Sequence, residues 1–259
     1  MEVYMRILVT NDDGIEAPGI ELLAAAARKL GEVTVLAPRE QCSAMSQHIT
    51  LGPPMELRQV KNYPVSGVKA YSLCATPADC VRSAFHGLFP KGEEPELVLS
   101  GINDGPNCGF DIQYSATIGA AKEAVTYGVP AICFSLEKGP SREIAERYVG
   151  EIARELVKKP LGPGKIWNVN FPSCPFSGYK GILYDREPAQ HAFYEDVYVK
   201  KPRPDGGWDV TIDMNPVTYG DEGSDIRAVI DGYTSIGIVM NSAMLRGLRE
   251  DSGSGFLRQ

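Results

Sequence analysis

The chain has 259 residues, 43% of them hydrophobic and 23% charged, which is typical of a globular protein and excludes a disordered one. Its formal net charge of -7 argues against a nucleic-acid partner bound through a basic surface. No stretch is apolar and long enough to span a bilayer, so we expect no membrane partner. None of the six cysteines forms a C-x-x-C pair, which predicts a cytoplasmic protein with reduced thiols and no zinc site.

The first informative stretch, residues 6–15, is an apolar run that ends abruptly in Asn11, Asp12, Asp13 and Gly14. The apolar part predicts a buried strand, and the polar part predicts a loop in which adjacent side chains can converge. Two adjacent carboxylates repel each other unless a proton or a cation lies between them, so the pair points to Mg²⁺ or Mn²⁺. The alternative is an ordinary polar turn that caps the following helix.

A helix and a second strand follow this stretch. The alanine- and leucine-rich residues 20–30 predict a helix with Pro18 in its first turn and Gly31 at its end. Residues 32–37 predict a strand, so this spacing is typical of a βαβ unit with parallel neighbouring strands. Residues 39–50 then form a long polar loop.

The remainder of the chain continues the alternation of strands and helices. The predicted strands are residues 55–60, 68–73, 95–100, 128–135, 166–171 and 233–239, and the predicted helices are residues 76–85, 114–124, 141–159 and 224–232. Residues 197–201 and 208–212 alternate like a half-exposed hairpin around a turn rich in proline and glycine.

These elements predict an α/β fold, a Rossmann-like three-layer αβα sandwich with a mostly parallel sheet. We expect a catalytic core at residues 1–180 and a projecting β-hairpin arm at residues 181–220. The arm is expected to contact another subunit, with a simple surface hairpin as the alternative. Residues 221–259 are expected to return to the core as a helix and a strand and to end in a mobile tail.

Oxygen-bearing side chains follow several of the predicted parallel strands. Asp12 and Asp13, Ser43 and Asn103 lie in three loops at the carboxyl ends of strands, where ligands bind in open parallel sheets. Two carboxylates, a hydroxyl and an amide carbonyl suit one Mg²⁺ or Mn²⁺, and no Cys or His ligand is needed. One of the two aspartates would take a proton from an attacking water.

A phosphate group is the expected second ligand. Glycines in residues 101–109 let backbone N–H groups approach an anion, and a helix N-terminus near Ser115 and Thr117 favours negative charge. The residues assigned to the phosphate or substrate are Asn11, Gly101, Asn107, Gly109, Ser115 and Thr117. Turn geometry and helix capping are the alternatives for these residues. For His48, a surface loop position is the alternative to a general acid.

Blocks of residues that resemble one known family occur in order over most of the chain. They are residues 6–15, 17–19 and 37–38, then Ser43, Ser46 and Thr50, and then residues 76–80, 100–109, 114–121, 168–170 and 232–233. In these blocks the chain resembles the family of the survival protein SurE. Members of that family are metal-dependent 5′-nucleotidases.

The resemblance implies that Asp12, Asp13, Ser43 and Asn103 hold one divalent metal ion per subunit. It implies hydrolysis of nucleoside 5′-monophosphates, and extends the expected substrates to 3′-monophosphates and short polyphosphate. It also implies a homodimer or homotetramer assembled through swapped C-terminal elements.

The chain departs from the family pattern at a few positions. Ala44 and Ala116 stand where the family usually has glycine, which narrows the loop conformations open to the chain near the metal or the phosphate. The arm from residue 185 to residue 214 also matches the family pattern poorly. Substrate preference and the details of assembly are therefore the features that the resemblance predicts least.

Two other classes of function remain compatible with the sequence. One is a nucleotide-binding or regulatory protein that uses the same crevice without turnover, and the other is a metal-dependent hydrolase of a substrate without phosphate. The aspartate pair argues against simple phosphate binding, because two carboxylates repel a phosphate unless a metal screens them.

Overall fold

Strand β1 (Met5–Thr10) divides its side chains between the two faces of a central sheet, because successive side chains of a strand point in opposite directions. Ile7 and Val9 pack into one hydrophobic core, and Leu8 packs into a second core on the other face. A strand that is apolar on both faces belongs in the middle of a sheet covered by helices. The computed structural model, which describes residues 4–244, places it there.

Within residues 4–244, the central sheet has nine strands and is mostly parallel. Its strands are β1, β2 (Gly31–Pro38), β3 (Leu57–Gln59), β4 (Lys69–Leu73), β5 (Leu97–Asp104), β6 (Ala131–Leu136), β7 (Lys165–Phe171), β8 (Gly181–Arg186) and β11 (Tyr233–Met240). The order across the sheet is β3-β4-β2-β1-β5-β6-β7-β11-β8, and only the β3–β4 and β7–β11 pairs are antiparallel. The predicted pairing of β1 with β2 is confirmed, with Ile7 opposite Val33.

Helices cover both faces of the sheet. The described helices are α1 (Pro18–Ala27), α2 (Pro77–Ser83), α3 (Ala116–Thr126), α4 (Glu143–Leu156) and α5 (Asp225–Ile230). The core on one face includes side chains of α1 and α4, and the core on the other face includes side chains of α2 and α3. The expected three-layer α/β architecture is therefore confirmed. Among residues 4–244, no helix is both long enough and apolar enough to cross a membrane.

The structure moves the beginning of the arm. Strands β9 (Tyr194–Pro202) and β10 (Trp208–Pro216) form a separate antiparallel sheet, which confirms the predicted hairpin. The placement of residues 181–186 in the arm is wrong, because β8 pairs with β11 in the central sheet. Its residues are mostly half-buried, so they lack the strong apolar run that marks the inner strands. The tail expected beyond residue 250 lies outside the described residues.

The first turn of α1 lies unusually close to β5. A methyl group added at Gly19 would lie 2.0 Å from the backbone oxygen of Ile102, which precedes the candidate ligand Asn103. A methyl group added at Gly150 in α4 would meet only the Cβ of Ala26, at an ordinary 3.6 Å. The two glycines are thus a matched pair in helices, one tightly packed and one not.

We predict that Gly19→Ala lowers the free energy of unfolding by about 2–3 kcal/mol, because the added methyl group forces α1 away from β5. Gly150→Ala should be neutral or stabilise the protein by up to about 1 kcal/mol, since alanine favours a helix interior. Chemical denaturation of both variants measures the difference. Equal stability of the two variants would contradict the tight contact at Gly19.

Candidate active site

Asp12 follows β1 and is buried, with 3% of its surface exposed. Its carboxylate accepts a hydrogen bond from the hydroxyl of Thr117 in the first turn of α3. Burial raises the pKa of Asp12 from 3.8 to about 7, the hydroxyl of Thr117 lowers it, and the negative charge of Asp13 raises it again. Ionised Asp12 is therefore costly at neutral pH unless a positive charge lies beside it.

Asp13 lies next to Asp12 but points to a different set of partners. Its carboxylate accepts hydrogen bonds from the backbone N–H of Asp104 at 3.0 Å and from the side chain of Gln41 at 3.4 Å. Asp104 is the last residue of β5 and Gln41 lies in the loop after β2, so Asp13 connects the loop after β1 to both of them at one edge of the sheet. Gln41 was not predicted as a site residue, because nothing in its sequence neighbourhood distinguishes it from an ordinary loop residue.

Asn103 also lies at this edge, near the end of β5. The sequence predicted that the strand would end at Ser100, but β5 continues to Asp104 after an irregularity between Ser100 and Asn103. The side-chain nitrogen of Asn103 donates to the backbone oxygen of Gly105 at 2.7 Å. The amide oxygen of Asn103 is therefore the atom left for a ligand.

The polar atoms around the aspartate pair fit a hard divalent cation. The side-chain nitrogen of Asn11 donates to the backbone oxygen of Gly14 at 2.9 Å, while its buried oxygen has no hydrogen-bond partner within residues 4–244. Buried polar atoms rarely remain unsatisfied. The unsatisfied oxygen belongs to the residue that precedes Asp12, and it fits a site that takes a cation or a hydrogen-bond donor. Oxygen ligands are what Mg²⁺ and Mn²⁺ prefer.

The loop after β2 carries Ser43 and is held against its neighbours on both sides. The backbone N–H of Cys42 donates to the backbone oxygen of Asp12 at 2.7 Å, and the exposed Ser43 is the next residue of the loop. The hydroxyl of Ser46 donates to the backbone oxygen of Gln113 at 2.9 Å. A methyl group added at Gly119 would lie 2.1 Å from the backbone oxygen of Ser46, so this loop packs directly on α3.

Asp79 anchors the far end of the same loop. It completes a capping box with Thr76 at the start of α2 and accepts hydrogen bonds from the backbone N–H and hydroxyl of Thr50. The sequence predicted Thr76 as the helix cap but missed this role of Asp79. The spacing of a threonine and an acid three residues apart is the signal that could have revealed it.

Ala44 occupies a backbone conformation that glycine adopts more easily. Its φ of 59° lies in the left-handed region, where a side chain costs about 1 kcal/mol or more. The expected narrowing of the loop therefore takes the form of local strain directly after Ser43. Ala116, the second departure, is fully buried at the first position of α3.

The glycine-rich loop between β5 and α3 is packed tightly. A methyl group added at Gly101 would lie 2.1 Å from the backbone oxygen of Phe134, so this glycine is required by the neighbouring strand β6. The side chain of Asn107 donates to the hydroxyl of Ser135 at 2.7 Å, and its backbone N–H donates to the side chain of Asn170 at 2.7 Å. These contacts give Gly101 and Asn107 structural roles, and their assignment to the substrate stays a prediction.

Gly109 is connected through hydrogen bonds to the residues just before β9, here called the root of the arm (residues 187–193). Its backbone N–H donates to Asp225 at 3.0 Å, so that donor is already engaged. The same carboxylate accepts the backbone N–H of Ala189 at 3.0 Å. Asp111, two residues after Gly109, accepts the backbone N–H groups of Phe193 at 2.8 Å and Tyr194 at 3.2 Å. The roles of Asp225 and Asp111 could not be predicted, because their partners lie up to 116 residues away in the sequence.

The N-terminus of α3 completes the site. The hydroxyl of Ser115 caps the helix by accepting a hydrogen bond from the backbone N–H of Ile118 at 3.1 Å, and Ser115 is buried. The structure thus brings Asp12, Asp13 and Thr117 together, with Asn103 and the loop of Ser43 at the same sheet edge. His48 lies on the surface of that loop, and its backbone oxygen accepts the hydroxyl of Thr76.

The raised pKa of Asp12 makes the stability of the metal-free protein depend on pH. The unfolded chain loses this proton near pH 4 and the folded protein near pH 7, so the folded state is progressively penalised as pH rises between these values. Asp12→Asn keeps an oxygen for Thr117 and removes the charge. We predict that the variant is more stable than the parent, by about 2–3 kcal/mol more at pH 8 than at pH 5.

Denaturation in the presence of a chelator at the two pH values measures this effect. Asp221→Asn, a change at an exposed loop position, is the control and should shift stability by less than about 0.5 kcal/mol at either pH. A gain in Asp12→Asn that does not grow with pH would show that burial of Asp12 is not the source of the penalty.

Comparison with known proteins identifies relatives across most of the chain. The sequence model of the family described as "Survival protein SurE" matches residues 7–192. A relative named 5′-nucleotidase SurE 1 from Thermus thermophilus is 41% identical over 237 residues, which cover 90% of each chain. A relative named 5′-nucleotidase SurE from Pelobacter propionicus is 37% identical over 236 residues, covering 90% of this chain and 92% of its own.

A solved structure supports the same relationship. The crystal structure of the SurE protein from Aquifex aeolicus superimposes with a TM-score of 0.76 and 31% sequence identity, covering 91% of this chain and 93% of that one. The family match spans more than half of the chain, and the structural match covers most of it. The ordered motifs, the fold and these matches together show that the chain belongs to the SurE family.

Proposed function

We propose that this protein is a divalent-metal-dependent phosphatase that hydrolyses nucleoside 5′-monophosphates to nucleoside and phosphate. The observation that carries the proposal is the Asp12–Asp13 pair, in which burial and the neighbouring carboxylate raise the pKa of Asp12 to about 7. The names of its relatives support the reaction class, since each is called a 5′-nucleotidase.

The residues that would hold the metal are Asp12, Asp13, Ser43 and Asn103. All four provide oxygen, and the residue before Asp12, Asn11, has an unsatisfied buried oxygen. One Mg²⁺ or Mn²⁺ per subunit would supply the positive charge that draws the phosphate to this acidic edge and polarises its P–O bond. This assignment agrees with the absence of any nitrogen or sulfur ligand in the set.

The protein's own groups position the reactants. Thr117 fixes the carboxylate of Asp12 through its hydroxyl, and the backbone of Asp104 fixes Asp13. The proton of the attacking water passes to one of the two carboxylates, which acts as the general base. The N-terminus of α3, capped by Ser115, would attract the negatively charged phosphate through the helix dipole and its free backbone N–H groups.

We assign the reaction to the cytoplasm and extend the substrates to 3′-monophosphates and short polyphosphate as the resemblance implies. All six cysteines are free thiols, which supports a reducing compartment.

We predict that Asp12→Asn and Asp13→Asn each lower metal-dependent phosphate release by about 100-fold or more, because each removes a charged ligand. Thr117→Val should cost about 10- to 100-fold, since it frees the Asp12 carboxylate to rotate. Phosphate release from AMP with Mn²⁺ or Mg²⁺ measures all three.

Thr126→Val at the other end of α3 is the matched control, because its hydroxyl donates to the backbone oxygen of Glu123 and not to Asp12. It should retain activity within about twofold of the parent. Binding of AMP without any turnover would favour a nucleotide-binding protein, and full activity in Asp12→Asn would refute the site.

Assembly into a homodimer or homotetramer through the arm is part of the proposal. Trp208, Val210, Ile212 and Met214 alternate along β10 and share one face, and all are at least 42% exposed. Tyr198 lies opposite Ile212 on the same face and is 71% exposed. A contiguous exposed apolar face of this kind is typical of an interface between proteins.

We predict that Val210→Glu converts the protein to smaller species, because a charge in the centre of the apolar face opposes its burial. Thr211→Glu, one residue further along on the opposite face of the arm, is the matched control and should leave the assembly intact. Light scattering coupled to size-exclusion chromatography reports the mass. A monomeric parent protein would contradict the proposed assembly.

A further inference from the structure

Glu123 is a buried carboxylate on α3, outside the candidate ligand set, that contacts the loop of residues 39–50. Only 5% of its surface is exposed. Its Oε2 accepts a hydrogen bond from the side-chain amide of Gln47 at 2.8 Å. Its Oε1 accepts hydrogen bonds from the hydroxyl of Tyr127 at 2.7 Å and from the guanidinium group of Arg82 at 3.1 Å. A buried carboxylate needs such donors, and hydrogen bonds to a charged group are among the strong ones.

The three donors come from different parts of the fold. Arg82 lies in α2, and Tyr127 directly follows α3, where its ring stacks on Phe85 with centroids 4.6 Å apart. Gln47 lies in the loop, four residues after the candidate ligand Ser43. The bond to Arg82 links the two helices, and the bond to Gln47 links the loop to α3. Of the three bonds, only the one to Gln47 reaches the loop that carries Ser43.

The loop meets α3 at a second point, one turn before Glu123. Gly119 lies against the backbone of Ser46, so two helix residues on one face contact two consecutive loop residues, Ser46 and Gln47. Ser46 has a φ of 51°, in the same left-handed region as Ala44. Such a backbone persists only where the surrounding contacts fix it. The conformation of the loop therefore depends on its attachment to α3.

The same helix also contacts the other side of the candidate metal site. Thr117, two residues before Gly119, donates its hydroxyl to the carboxylate of Asp12. α3 thus holds Asp12 through one residue and the loop of Ser43 through two others. Because the backbone of an α-helix is fixed by its own hydrogen bonds, α3 sets the position of the loop relative to Asp12.

We propose that Glu123 is a positioning residue for the metal site. Through Gln47 it holds the loop of residues 39–50 on α3, and it thereby places the hydroxyl of Ser43 relative to the carboxylate of Asp12. The proposal rests on the proposed metal-dependent function. Supporting contacts of this kind are typically worth about 10- to 100-fold in metal affinity. The alternative is that Glu123 only joins α2 to α3, in which case metal affinity does not depend on Gln47.

Gln47→Leu and Tyr127→Phe separate these two roles, since each removes one hydrogen bond from the same carboxylate. The phenylalanine variant keeps the ring that stacks on Phe85. Mn²⁺ binding without substrate, followed by the electron paramagnetic resonance of the free ion, measures the metal site without turnover. We expect the dissociation constant to rise about tenfold in Gln47→Leu and to change less than about twofold in Tyr127→Phe. Amide hydrogen exchange of residues 43–50 should become faster in Gln47→Leu alone.

Exchange of the two groups provides a rescue. Gln47→Glu alone sets two carboxylates against each other and should weaken Mn²⁺ binding at least as much as Gln47→Leu. Combined with Glu123→Gln, it places the amide on α3 and the carboxylate in the loop, which restores the hydrogen bond with donor and acceptor reversed. The amide oxygen on α3 can still accept from Arg82 and Tyr127. We expect the double variant to bind Mn²⁺ within about threefold of the parent.

Three outcomes decide the proposal. Equal dissociation constants for Gln47→Leu and Tyr127→Phe, or a double variant that binds no better than Gln47→Glu, would overturn it. A parent that binds Mn²⁺ but releases no phosphate from AMP would refute the phosphatase function alone, and the metal affinities of the variants would still decide the role of Glu123. A parent that binds no Mn²⁺ would overturn both.

Discussion

The cost of two adjacent carboxylates at the end of a buried strand is the constraint on which the rest of the site depends. β1 is apolar on both faces and therefore lies in the middle of the sheet. Directly after it, Asp12 is buried against α3, and Asp13 lies at the edge of the sheet against the backbone of Asp104. Neither carboxylate has a cationic partner among its hydrogen bonds. The fold thus holds two carboxylates in an electrostatically unfavourable arrangement that a bound cation would relieve. The rigid sheet keeps them in place.

The surrounding loops hold this arrangement through backbone contacts more than through side chains. The loop of Ser43 is tied to Asp12, to the residues before α3 and to Asp79 in α2. The strained backbone of Ala44 persists because both ends of the loop are fixed. Precision in such a site comes from elements that cannot move independently, which is why the supporting residues are as informative as the ligands.

The sequence predicted the architecture well because the inner strands are apolar on both faces and three of the five described helices begin with a serine or threonine cap. It also located Asp12, Asp13 and Asn103 at one edge, since the carboxyl ends of parallel strands meet there. It misplaced the start of the arm at residue 181, because the edge strand β8 is only half-buried and gives a weak pattern. The partners of Asp225 and Asp111 were invisible, because a contact across 80 or more residues leaves no local signature.

The carboxylate of Asp225 bonds two segments at once, the glycine-rich loop through Gly109 and the root of the arm through Ala189. These segments are therefore coupled structurally although they are distant in the sequence. A chimaera that exchanges the hairpin between family members must carry the helix that begins at Asp225 along with it. We therefore expect the arm to tolerate sequence changes best beyond Tyr194, because the residues before it are held by the carboxylates of Asp225 and Asp111.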